Sequence, residues 1–443
     1  MSVTLKTGYG LLKGNEREHC YEFLGIRYAK ADRFEYAVPV DRAEDGEYDA
    51  TSFGPVCPQT RAFYEHLEIP ERLFYHREFR EGITYDYDED CLSLNIYAPK
   101  SAENAPVIIF IHGGGFDSGS VKDSCFDGDA YCKRGVILVT INYRVGVLGY
   151  LTHEDIFRKY GRDGNFGLDD QLTAIRWVRR HIRDFGSDPD NITLMGQSAG
   201  AISIQYMCLS HDNEGLFRRV IMMSGGGLFP KFALPRPAEK TREYWLDLME
   251  IAGCAHLEDL RTLELSSLFT AIDRIKKTRK DNTYNTMPVV DGYLIPAPVD
   301  TLIGDPLKVG YMIGYTNNDM YAAVMAHIGN RFAAANNGYV YFFDIDAPGN
   351  DNNGAFHSSD LRYMFHTLSK SHRPYDARDE EVSDLLIDQV SSYAACGDPN
   401  GKGRPVWNTM PGRALCINKR SVKMGRPNMA ILIWNMLTKG DPK

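Results

Sequence analysis

Seven short apolar runs, none broken by polar alternation, constrain this 443-residue chain more than any other feature. They are Val107 to Ile111, Val136 to Ile141, Ile192 to Met195, Val220 to Met223, Val309 to Ile313, Tyr339 to Phe343 and Ala430 to Trp434. A half-buried strand alternates apolar with polar residues, whereas a strand covered on both faces does not. Such runs therefore predict a mostly parallel central sheet. Helical patterns lie between them, the clearest carrying Leu172, Ile175, Val178, Ile182 and Phe185 behind Asp169 and Asp170. Alternation of strand and helix gives the class α/β, with helices on both faces of the sheet.

Residues 3 to 100 read as a small antiparallel β region with long loops, and Gly8-Tyr9-Gly10 as a hairpin turn. Residues 235 to 285 are charged and helix-prone, without strand runs, and read as a cap-like insertion over the strand ends. No repeat or low-complexity linker divides the chain, so 1–443 is expected to be a single domain with insertions.

A net charge of −9 argues against nucleic acid and anionic membrane as partners. No run of eighteen apolar residues exists. Met1 to Lys6 lacks the basic and apolar regions of a signal peptide, so a cytoplasmic setting is expected. Nine cysteines, an odd number spread thinly, do not form a disulfide framework.

Chemistry enters at Gly196-Gln197-Ser198-Ala199-Gly200, directly after the run Ile192 to Met195 and before a helix-compatible stretch. A sharp strand-to-helix turn needs small flanking residues and raises the serine hydroxyl over the sheet edge. Upstream, His112-Gly113-Gly114-Gly115-Phe116 follows another strand run in the layout of an oxyanion-hole loop. Backbone N–H groups of Gly114, Gly115 and Ala199 are the candidate donors to a developing negative oxygen.

A serine hydroxyl needs a base, and the base an orienting carboxylate, in the chain order Ser, acid, His. That order leaves His211, His256, His327, His357, His366 and His372. His357 follows the strand Tyr339 to Phe343 through a glycine-containing loop, where open α/β sheets place their chemistry, and is the favoured base. Asp319, just beyond Val309 to Ile313, is the favoured acid; a helix N-cap reading fits it equally. Asp291 reads as a turn residue, and Asp344 and Asp346 are weaker rivals. No metal or cofactor is expected: His153-Glu154 lacks the second histidine of a zinc helix, and Gly397 to Gly403 lacks a phosphate-loop spacing.

With these residues in place the chain resembles the type-B carboxylesterases, whose members include cholinesterases and para-nitrobenzyl esterases. The stretches that carry the likeness include Glu89 to Asn95, His112 to Phe116, Asn142-Tyr143-Arg144, Gly164 to Gln171, Phe185 to Pro189, Gly196 to Gly200, Gly314 to Asp319 and Phe356 to Leu361. The resemblance implies an α/β-hydrolase fold and a serine esterase acting through an acyl-enzyme on small to medium neutral esters, without cofactor. It implies Ser198 as nucleophile, His357 as base, Asp319 as acid, and Gly114, Gly115 and Ala199 as oxyanion hole. It further implies Ser224 as a buttress of the acid and a disulfide between Cys57 and Cys91. Amide or thioester hydrolysis by the same groups, or a non-catalytic binding role, are the alternatives.

Four departures from the pattern matter. The acid is Asp where many members have Glu; Met320 follows it in place of the frequent glycine; Gln197 replaces the common Glu before the nucleophile. Only 38 positions separate Asp319 from His357. The missing segment roofs the site in the family, so a shallower, more open pocket is expected.

Overall fold

The apolar runs pair edge to edge. A computed structural model describes residues 2–60, 70–226, 234–279, 286–319 and 322–438. Its main sheet contains β1 (Ser2–Lys6), β2 (Leu11–Glu16), β3 (Cys20–Arg27), β4 (Ser93–Pro99), β5 (Ala105–Ile111) and β6 (Ile137–Ile141). It continues with β7 (Ser187–Gln197), β8 (Arg219–Met223), β9 (Gly310–Thr316), β10 (Tyr339–Phe343), β11 (Ala414–Asn418) and β12 (Ser421–Gly425). The spatial order is β1-β2-β3-β4-β6-β5-β7-β8-β9-β10-β11-β12, with short strand Glu47–Asp49 beside β2. Every pairing from β6 to β11 is parallel. The pairings outside that block are antiparallel, except that Glu47–Asp49 runs parallel to β2. The N-terminal β region thus extends the central sheet through β4 rather than forming one of its own. Thr7 to Gly10 makes the expected turn between β1 and β2.

Unbroken apolar runs are explained by two separate cores. Along β5, Val107, Ile109 and Ile111 enter one cluster while Ile108 and Phe110 enter the other. Val340 and Phe342 of β10 join the first cluster, Tyr341 and Phe343 the second. Helices cover both faces: α1 (Pro70–Phe79), α2 (Phe166–His181), α3 (Ala199–Met207), α4 (Arg242–Ala252), α5 (Leu257–Thr262), α6 (Leu265–Thr278), α7 (Ala322–Ala335), α8 (Ala377–Cys396) and α9 (Met429–Thr438). The order and layering are those of an α/β-hydrolase.

The insertion at 235–285 opens with a two-residue strand, Arg236–Pro237, paired with Val289–Val290, and its longer elements, described to residue 279, are the helices α4, α5 and α6. Its apolar faces, Trp245, Leu248, Phe269 and Ile272 among them, join the first core cluster. Arg261 pairs with Glu35, and Lys276 reaches Asp117 at 3.2 Å, just past the glycine loop. The insertion is therefore fastened to the loops above the strand ends.

One expected strand is a helix. Ala430 to Trp434 lies in α9, started by Asn428, whose Oδ1 accepts from Ala430 N at 3.1 Å. A five-residue apolar run carries no period that separates a strand from a helix, and here the cap decides. The sheet ends instead in the β11–β12 hairpin, turned by Asn418 Oδ1 accepting from Arg420 N and Ser421 N.

Asp170 also differs from its expected part. It does not merely favour the helix N-terminus; fully buried in α2, it accepts from Arg144 Nε at 2.8 Å and Nη2 at 2.7 Å. Arg144 Nη1 donates onward to Glu35 O at 2.7 Å. Removing one member of a buried pair strands the other, at a cost of about 3–5 kcal/mol. Asp170→Asn is expected to lower unfolding free energy by that amount in urea titrations; a loss under about 1 kcal/mol contradicts this assignment.

Candidate active site

Parallel register sets the site. Ile111, Gly196, Met222 and Ile313 lie side by side across β5, β7, β8 and β9, and Ile313 faces Val340 on β10. Their carboxyl-terminal loops consequently open on one edge, the place where open α/β sheets hold ligands.

β7 ends at Gln197 and α3 begins at Ala199, leaving Ser198 alone in the turn with φ 54° and ψ −122°. That conformation is strained for a residue with a side chain and is found where surrounding structure enforces it. Ser198 N donates to Met223 O at 2.8 Å, and Ser198 O accepts from Ile202 N at 3.0 Å. Gly200 must be glycine: a Cβ there would lie 2.1 Å from Ile111 O. The Ser198 side chain is half-buried, and its hydroxyl forms no hydrogen bond among the described residues.

The glycine loop lies beside the serine. A Cβ on Gly113 would sit 3.0 Å from Ser198 Cβ and 2.6 Å from Gln197 Oε1. Gly114 takes φ 118°, and a Cβ there would strike Ser118 O at 2.0 Å. Its carbonyl accepts from Asp117 N and Ser118 N, closing the loop. The N–H groups of Gly114, Gly115 and Ala199 donate to nothing among the described residues, and the two glycines are exposed. His112 is turned away, stacked on Tyr143 with ring centroids 4.3 Å apart. Phe116 is buried, edge-on to Tyr150.

Two loops bring acid and imidazole together. Asn318 and Phe356 form a parallel bridge, with Asn318 N donating to Ala355 O at 2.9 Å. Asn318 Nδ2 donates to Asn353 O at 2.9 Å. The next residue of each loop follows suit: His357 Nδ1 meets Asp319 Oδ2 at 2.9 Å. Asp319 is buried while the His357 side chain keeps 25% exposure. Asp319 O also accepts from Ala322 N, so the residue serves the start of α7 through its backbone. Of the other candidate bases, His211, His366 and His372 face Asp305, Glu380 with Asp384, and Glu78, and His256 caps α5. His327 is exposed on α7. Asp291 accepts from Tyr293 N and Ile295 N, the expected turn; Asp344 accepts from Asn317 Nδ2.

Nδ1–H of His357 donates to the carboxylate, which leaves Nε2 with a lone pair. Gln197 Nε2 lies 3.2 Å from that nitrogen and donates to Ser358 Oγ at 2.8 Å. The residue before the serine thus holds the atom that would receive the serine proton. This contact, and the close approach of Gly113, put nucleophile, imidazole and glycine loop in one place.

Three further residues are named by resemblance. Ser224 takes φ 51°, and its N–H is bound to Gly314 O at 2.8 Å. Its buried hydroxyl has no hydrogen-bond partner among the described residues. Thr316 Oγ1 donates to the Asp319 carboxylate at 3.5 Å. Cys57 and Cys91 are buried free thiols, and Cys57 Sγ donates to Pro58 O at 3.5 Å. Met320 lies outside the described residues.

Sequence reading missed Asp360. It is wholly buried three residues past His357, accepts from Tyr341 Oη at 2.7 Å, and leaves Oδ1 unpartnered. Burial pushes its carboxyl up to about 6, against the pull of Tyr341 and His357. Its proximity to Asp319 adds to the rise. The signal was present as an acid within Phe356 to Leu361, but only the fold shows that it is dry. No group of three or more potential metal ligands occurs among the described residues.

A serine raised between a parallel strand and its helix, on a sheet of this order, defines the class as an α/β-hydrolase. The family follows from comparison. The model of the Carboxylesterase family matches residues 1–334 and 320–430, and the chain belongs to that family. It is 33% identical to the para-nitrobenzyl esterase of Bacillus subtilis (strain 168) over 327 residues, covering 71% of this chain and 62% of that protein. It is 30% identical to the bile salt-activated lipase of Rattus norvegicus over 442 residues, covering 75% and 70%. Among solved structures, a thermophilic para-nitrobenzyl esterase superposes with TM-score 0.83 at 25% identity, over 98% of this chain and 99% of that one.

Because the Asp360 carboxyl binds its proton more tightly when folded, the native state holds more protons than the unfolded chain between about pH 4 and 6. Stability from this group is present at the acid end and falls as pH rises through that window, by roughly 2–3 kcal/mol. Asp360→Asn is expected to flatten the slope in denaturant titrations from pH 4 to 7. Equal slopes for the two proteins would refute it.

Proposed function

We propose that Ser198, His357 and Asp319 hydrolyse carboxylic esters by acyl transfer, without a cofactor. The observation that carries the reading is the Asp319–His357 pair at 2.9 Å, placed against the turn that presents Ser198. Membership of the carboxylesterase family supports it.

In this mechanism His357 Nε2 takes the Ser198 proton as Oγ attacks the acyl carbon, and Asp319 stabilises the imidazolium through Nδ1–H. The amides of Gly114, Gly115 and Ala199 receive the negative oxygen of the tetrahedral intermediate. His357 then protonates the departing alkoxide, and water repeats the sequence on the acyl-enzyme. Gln197 first yields the Nε2 lone pair. The carboxamide and the serine hydroxyl compete for one acceptor, so Gln197 swings toward Ser358 when substrate aligns the hydroxyl. Exposure of Gly114, Gly115 and the His357 ring supports an open mouth suited to esters of varied size. A neutral residue at 197 supports neutral rather than cationic substrates.

Ser198→Ala and His357→Ala are each expected to lower kcat on a para-nitrophenyl ester by up to ~10⁶-fold. A fluorophosphonate should label folded wild-type protein at Ser198 only. Folded protein that neither labels nor turns over a panel of ester, thioester and anilide substrates would end the hydrolase reading.

Gln197→Glu would place a carboxylate against Nε2 and favour the imidazolium. The acid limb of the kcat/KM profile is expected to move up by about one pH unit or more. An unmoved limb would show that Gln197 does not share the His357 proton site during turnover.

A further inference from the structure

The loop that carries His357 is long and contains no helix or strand. Residues 344–356 join β10 to the base, and an ordered loop of that length needs ties of its own. Its neck is tied by the Asn318–Phe356 bridge and by Ala347 N, which donates to Gly354 O at 3.1 Å. Its tip is held by Arg373, in the segment that leads into α8. All five N–H groups of this guanidinium find acceptors. Nε donates to Glu78 Oε2 at 2.9 Å and Nη2 to Glu78 Oε1 at 2.7 Å. Nη2 also donates to Asp351 Oδ2 at 2.7 Å, and Nη1 to Asp351 Oδ1 at 3.1 Å and Pro348 O at 3.0 Å. The side chains of Arg373 and Glu78 are 2% and 1% exposed, that of Asp351 30%.

Glu78 lies on α1 and Asp351 on the loop, so one planar fork joins the helix, the loop and the approach to α8. A bidentate pair fixes orientation as well as distance, which a lysine ammonium does not. The guanidinium carbon stands 5.7 Å from the centre of the Phe356 ring and 5.9 Å from that of Phe74. Those two rings meet edge to face at 4.9 Å, and Tyr75 Oη donates to His357 O at 3.3 Å. The residue before the base and the carbonyl of the base itself are thus both anchored on the helix that Arg373 braces. Burying a guanidinium and a carboxylate costs desolvation, and an apolar plug would fill the same space without that cost. What the ion triad adds is directional geometry.

We propose that Arg373 is a positioning residue for the base. Clamping Glu78 and Asp351 together, it holds the 344–356 loop in the shape that keeps His357 Nδ1 on Asp319 and Nε2 toward Ser198. The proposal rests on the acyl-transfer reading of those three residues and names what fixes the imidazole from behind. Asp351 precedes His357 by six positions, so movement at the tip reaches the ring through a short stretch of chain. Misplacing a reacting group by about 1 Å costs up to ~10²-fold in rate.

Arg373→Ala would strand the buried Glu78 carboxylate and endanger folding, so the clamp is opened from its more exposed end. Asp351→Ala leaves the Glu78–Arg373 pair intact. Its kcat on a para-nitrophenyl ester is expected to fall about tenfold, with KM within about twofold of wild type. Arg373→Lys keeps one charge against Glu78 but cannot fork onto both carboxylates, and should fall as far. Arg77→Ala removes an ion pair of 3.9 Å to the same Asp351 from a half-exposed arginine, and should leave kcat unchanged. The second readout is the downfield proton resonance of His357 Nδ1–H, assigned by its loss in His357→Gln. Faster exchange of that proton with water in Asp351→Ala reports an imidazole that leaves Asp319. This signal needs no turnover, so it tests the clamp even in a protein that hydrolyses no ester, an outcome that would end the esterase reading alone. Unchanged kcat in folded Asp351→Ala overturns the clamp. So do a fall in kcat with an unaltered Nδ1–H signal, a rise in KM alone, and an equal loss in Arg77→Ala.

Discussion

The lateral register of the parallel strands is the constraint on which the rest of this molecule depends. Level strand ends place the glycine loop after β5, the serine turn after β7 and the acid loop after β9 on a common edge. A shift of one residue in any strand would exchange the side chains entering the two cores. The alternate assignment of Ile108 and Ile109 to opposite clusters makes such a shift costly. Precision at the site is therefore inherited from apolar packing well below it.

Electrostatic order is layered over that frame. Arg144 and Asp170 compensate each other in a dry interior, while Asp319 Oδ2 meets both His357 Nδ1 and, at 3.5 Å, the Thr316 hydroxyl. Asp360 is fully buried, accepts from Tyr341 Oη through one oxygen, and its other oxygen has no side-chain partner among the described residues; burial favours its neutral form. The two carboxyls near the imidazole thus differ in environment, and only Asp319 is given a geometry that supports an adjacent positive charge. Gln197 adds a neutral donor where a third carboxylate would have altered the balance.

Most of this was legible from residues alone, for identifiable reasons. Strands β5, β7, β8 and β10 were visible because burial on both faces demands continuous apolar side chains. Ser198 and the Gly114–Gly115 loop were visible because close backbone approach tolerates few residue types. Asp319 and His357 followed from chain order and strand ends. Other features left no local trace. Ala430 to Trp434 contains no period to distinguish helix from strand, and its polarity is that of a buried element although most of it is exposed. Asp360 looked like any acid until Tyr341 and the surrounding core were seen around it. Ser224 has the right neighbours in sequence, but its hydroxyl has no hydrogen-bond partner among the described residues, and only the fold shows that.

The Asn318–Phe356 bridge has a consequence for how the molecule comes apart. It closes β9, α7 and β10 into one short strand–helix–strand unit that contains both the carboxylate and the imidazole, whereas the serine belongs to the preceding unit of β7 and α3. Local opening at that boundary would separate Ser198 from an intact Asp319–His357 pair rather than divide the pair itself. Amides of the two units should then exchange with solvent at different rates, and inactivation on warming should precede loss of the bulk of the sheet.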